Sequence, residues 1–161
     1  MPHFLASFPP VQKWGYLPDV ARLELALRHA YHAADAGPLD PELLQSIPPE
    51  ALVATRVSIA PAVSVIRSPW PVHGIWQYNM VDAAPQPENR GEDVLVARPG
   101  FDPAVFLLPA GGGAFVDALI EGQPIGSAFD TALTIVAEFD LPTTLGVLLA
   151  AEAITALETT E

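Results

Sequence analysis

From Val20 onward, Val20, Leu23, Leu27, Ala30 and Ala34 recur at the spacing of one helix face, with polar residues filling the other. The pattern predicts a helix starting after Pro18, with Asp19 as its N-cap and Gly37-Pro38 as its end. Glu24 and Arg28 stand four apart on it, a spacing at which an ion pair adds about 0.3 kcal/mol. A second short helix is predicted from Asp40 (N-cap) and Pro41 to about Ile47, stopped by Pro48-Pro49. Ahead of both, residues 1–17 show no period and are broken by proline. They read as an extended lead-in with aromatic anchors at Phe4, Phe8, Trp14 and Tyr16.

The period then shortens. Segments 53–60 and 62–67 are rich in Val, Ile, Ser and Thr and read as two strands around Pro61. Ser68-Pro69-Trp70-Pro71 is a turn, Val72 to Met80 a short aromatic helix, and 82–93 a polar loop. Val94 to Arg98 and Ala104 to Leu108 form a second strand pair. After Pro109 helices return: Ala114 to Glu121, ended by Gly122; one capped by Ser127, with Asp130 three residues on and a stripe of Phe129, Leu133, Val136 and Phe139; and one opened by Pro142 through Leu145, Leu148 and Leu149. The tail from Ala153 reads as extended at its start and frayed at its end. The expected fold is one α+β domain over 1–161. It comprises the lead-in, helices plus a small, mostly antiparallel sheet of about four strands over 18–109, and an acidic three-helix, winged-helix-like part over 110–161.

Composition narrows the class. Of 161 residues, 50% are apolar and 16% charged, which suits a packed core rather than disorder. With no cysteine, disulfide scaffolds, thiolate-ligated metals and thiol catalysis are excluded. The apolar run Leu145 to Ala151 falls far short of the ~20 residues of a spanning helix. The N-terminus has no basic segment followed by a long apolar core, so the expected location is the cytoplasm. The net charge is −12, and all seven basic residues lie at or before Arg98. Nucleic-acid affinity depends on Lys and Arg neutralising phosphates, so this balance argues against such a partner.

Candidate chemistry is sparse. His29 and His32 at i,i+3, with Asp35 beyond, have metal-binding spacing, but His3 and His73 stand alone, too few ligands for a site, and surface or half-buried histidines on a helix are the commoner case. Gly111-Gly112-Gly113 lacks the lysine and spacing of a phosphate loop and reads as a strand-to-helix turn. No serine sits in a nucleophile elbow. No catalytic residue, metal or cofactor is therefore expected. The segment Trp70-Pro-Val-His73-Gly-Ile-Trp76-Gln-Tyr78-Asn79 is the densest in aromatic and polar groups. Such residues either cover a sheet edge or anchor a partner. The candidate partner surface is Arg67, Trp70, His73, Trp76, Tyr78, Asn79 and Arg98, the two arginines ending neighbouring strands and flanking the aromatics.

The stretches Tyr16-Leu-Pro-Asp-Val-Ala-Arg-Leu-Glu24, Ala30-Tyr-His-Ala-Ala-Asp35, Arg67-Ser-Pro-Trp-Pro-Val72, Val94-Leu-Val-Ala-Arg-Pro99 and Phe139-Asp-Leu141 resemble the HvfC/BufC family, over Phe4 to Ile154. Members of that family carry a further small helical domain upstream, described as DNA-binding, which this sequence lacks. The family is also similar to the accessory subunit of methanobactin biosynthesis. The resemblance implies a non-enzymatic subunit partnering a TIM-barrel, multinuclear-iron oxygenase and its ribosomally made precursor peptide. The alternative it implies, a DNA-binding regulator, conflicts with the charge balance.

Overall fold

The computed structural model describes residues 1–158. Its first element, α1 (Pro2–Ser7), corrects the extended lead-in. Proline at the first helical position is pre-set for a helix, Phe4 and Phe8 stack at i,i+4 with centroids 4.9 Å apart, and the Ser7 hydroxyl donates back to the His3 carbonyl. A 3-10 turn, Pro9–Val11, leads into α2 (Leu17–His32). Asp19 is not the cap of α2 but sits buried within its first turn. The helix also ends five residues before Gly37. The Arg98 guanidinium donates to the carbonyls of Tyr31, Ala33 and Ala34, and Ala33 is already extended. Glu24 and Arg28 form no ion pair.

The next helix, α3 (Pro41–Gln45), is capped by the Asp40 carboxylate, which accepts from the Glu42 amide at 3.0 Å. Pro49, expected as a breaker, instead opens α4 (Pro49–Leu52). Strand β1 (Arg56–Ile59) therefore starts later than expected, and β2 (Ser64–Ser68) follows a turn at Ala60 to Val63. Helix α5 (Val72–Met80) spans the predicted residues. Strands β3 (Glu92–Ala97) and β4 (Ala104–Leu108) come next.

Helix α6 (Gly112–Ile120) follows a tight turn at Gly111, whose φ of +81° suits glycine. Helix α7 (Ile125–Leu133) begins before Ser127, which is not its cap. Its first amides, Ile125 and Gly126, are taken by the carbonyls of Thr55 and Val53 from the distant turn before β1. Helix α8 (Leu141–Ala150) is capped by Asp140, and β5 (Ile154–Glu158) closes the described chain. The expected fraying of the tail falls on residues outside those described.

The fold is α+β, and its strands form two small antiparallel sheets rather than one. β2-β3-β4 make one, and β1 pairs with β5 in the other, Arg56 opposite Glu158. β3 is central, and Val94 to Ala97 are all buried, as expected for a strand covered on both faces. Alternation assigns the layers. Ile66, Val94 and Val96 face α2 and α5, forming one core with Leu23, Ala26 and Val72. Val65, Leu95 and Ala97 face the other way into a larger core with Phe115, Leu119, Ile125, Leu148 and the β1-β5 pair.

Candidate partner-binding surface

Helix α5 is held at its start by a carboxylate from the neighbouring strand. Glu92 accepts from the amides of His73 (2.9 Å) and Gly74 (3.1 Å), satisfying two donors that a helix leaves unpaired. Val72 is fully buried, and Trp70 and Trp76 pack partly buried against the α2 core. Trp70 also lies over Gly15, where a Cβ would stand 2.8 Å from its ring, so glycine permits that contact. Burial pushes the His73 imidazole below its ordinary value, and the Glu92 charge partly opposes this. Tyr78 and Asn79 are exposed at the far end, and the Asn79 amide donates back to the Ile75 carbonyl at 2.7 Å.

The two arginines do not flank this helix together. Arg67 alternates with Ile66 and therefore lies on the opposite sheet face, beside α6. There it stands 3.9 Å from Asp93 and 3.8 Å from Asp117. Asp93 also accepts from the Gly113 amide at 3.0 Å, so the triple-glycine turn already has its anion in the form of a side chain. Arg98 shares the α5 face but sits at the other end of the ladder. Because β2 and β3 are antiparallel, Arg67 lies opposite Asp93, five residues or about 17 Å along the strand from Arg98. The Arg98 side chain is only 9% exposed and is bound to Asp35 at 2.7 Å as well as to the end of α2. Its role is to anchor that helix. His29, His32 and Asp35 are all exposed, and among the described residues no three His, Asp or Glu side chains converge as a metal set.

Of the clefts along the described residues, two combine apolar walls with aromatic or charged groups. The first lies between α2 and α5 and has a volume of about 360 Å³. Tyr16, Val20 and Glu24 enter it at four-residue intervals, and Trp76, Asn79 and Met80 face them from α5. Of the predicted surface, only Trp76 and Asn79 line this cleft. The second, about 540 Å³, runs beside β1 and is walled by Val63, Leu119 and Ile120, with Arg56 and Glu158 at its strand. Among the described residues β1 has one strand partner, β5, so its other edge carries no strand and is open.

No family model matches this sequence, and no curated protein matches it. The geometry alone therefore bears on the site. Sequence reasoning missed Tyr16, Val20 and Glu24 as cleft residues. Val20 reads only as part of the apolar core face, and Tyr16 and Glu24, four residues to either side of it, add no apolar signal of their own on that face. Arg56 and Ile120 had no local signal, because only the tertiary packing of α6 beside β1 brings them together.

Proposed function

We propose that this chain is a non-enzymatic, cytoplasmic accessory subunit that holds a ribosomally made precursor peptide for a TIM-barrel, multinuclear-iron oxygenase. The observation that carries this reading is the open edge of β1 beside the 540 Å³ groove. An extended peptide added there would gain main-chain hydrogen bonds from β1, while its alternate side chains met Val63 and Ile120. The resemblance to the HvfC/BufC family supports the identity of the partner. The charge of −12 favours a polypeptide over a nucleic acid.

The test is co-purification of the full chain with the oxygenase encoded beside it and with its precursor peptide. A ternary complex at micromolar concentration is expected. Ile120→Asp, at an exposed groove position, should release the peptide while leaving the fold intact by circular dichroism. Failure to form any complex would overturn the reading, as would a complex whose peptide affinity is unchanged by Ile120→Asp.

A further inference from the structure

The α2–α5 cleft has a feature that the β1 groove lacks. Its walls are aromatic and apolar, from Tyr16, Val20, Trp76 and Met80, and one exposed carboxylate, Glu24, joins the lining. Among the described residues that carboxylate pairs with no cation. Arg28, one helical turn away, does not pair with it. Arg22 is bound to Asp19 at 2.6 Å, and Arg98 to Asp35. A tyrosine and a tryptophan ring around an unpaired carboxylate form the setting in which a cation is attracted by ring faces and neutralised by a counter-charge.

We infer that the α2–α5 cleft is a recognition site for a cationic side chain, lysine or arginine, carried between apolar residues of a partner polypeptide. The cleft volume of about 360 Å³ accommodates one long side chain with its apolar neighbours. The aliphatic stem packs on Val20 and Met80 while the charged head reaches Glu24. The protein's net charge of −12 favours approach of a cationic segment. This inference stands apart from the oxygenase reading, since it concerns a different cleft and a different chemical handle.

The test is an NMR titration of the full chain, following the Trp76 indole resonance, with the tripeptide acetyl-Leu-Arg-Leu-amide. The neutral isostere acetyl-Leu-citrulline-Leu-amide is the comparison. Saturable shifts at Trp76 are expected with the arginine peptide, and binding at least about five-fold weaker with the citrulline peptide. Glu24→Gln, at an exposed position, should erase that preference without altering the fold. Equal affinity for the two peptides would overturn the inference. So would shifts that bypass Trp76, a preference that survives Glu24→Gln, or no saturation up to about 10 mM. None of these results depends on the oxygenase, so the two readings fail separately.

Discussion

The Ser68 hydroxyl donates to the Asp19 carboxylate at 2.7 Å, joining the end of β2 to the first turn of α2 within the core. The same serine oxygen accepts from the Trp70 amide at 3.1 Å, and the same carboxylate accepts from Arg22 at 2.6 Å. One buried acid thus fixes the start of α2, the end of β2 and the turn into α5. Asp19→Ala would strand the Ser68 hydroxyl in an apolar setting and is expected to cost about 1–3 kcal/mol in urea unfolding. Ser68→Ala should cost less, because Asp19 keeps Arg22. A double-mutant cycle should show coupling between the two positions, and strict additivity would contradict the shared role.

Arg98 offers a second stability test. Its guanidinium satisfies three carbonyls at the end of α2, each 3.1–3.3 Å away, and pairs with Asp35. Arg98→Met keeps the apolar stem but leaves those carbonyls without their donor, an expected loss of about 2 kcal/mol. Arg98→Lys should recover only part of it, since an ammonium cannot reproduce the planar fork. Amide hydrogen exchange in the last turn of α2 is the specific readout, and it should accelerate in both variants.

At Gly113 the constraint is space rather than backbone dihedral angle. A Cβ there would lie 2.5 Å from an Asp93 carboxylate oxygen and 2.7 Å from Cγ of Arg67. Gly113→Ala is normally favourable inside a helix, yet here it must displace the carboxylate that caps α6. An expected destabilisation of about 1–3 kcal/mol replaces the usual gain. A rise in melting temperature for this variant would mean that Asp93 is not needed at the helix start.

Local sequence signals located most elements because they rest on neighbouring residues. Pro71-Val72 and the aromatic run specify α5, and the unbroken apolar run at Val94 specifies a covered strand. What escaped depends on distant chain segments. Ser127 has a suitable cap side chain, but the carbonyls of Val53 and Thr55, far away in sequence, reach the helix amides first. β1 and β2 are adjacent in sequence, yet β1 pairs with the last strand, which no pattern near Pro61 encodes. The partner surface divided for the same reason. Arg67 and Arg98 do end neighbouring strands, but side-chain alternation and antiparallel register place them on different faces and at different ends.

His73 makes stability depend on pH in a direction that follows from its surroundings. Burial lowers the folded-state value below the ordinary 6.5, with Glu92 opposing the shift. The unfolded chain therefore binds the proton more readily than the folded one. The sign is fixed by linkage: stability should be highest above about 6.5, fall as pH drops from there through the lower folded value, and level off once both states are protonated. The half-buried ring is accessible to solvent, so the effect is a modest shift in urea midpoint rather than acid unfolding. His73→Gln cannot take up this proton. The difference in urea midpoint between wild type and His73→Gln should change sigmoidally across that window, wild type losing stability relative to the variant as pH falls. A difference that stays constant with pH, or runs the other way, would mean that the folded protein does not disfavour protonated His73.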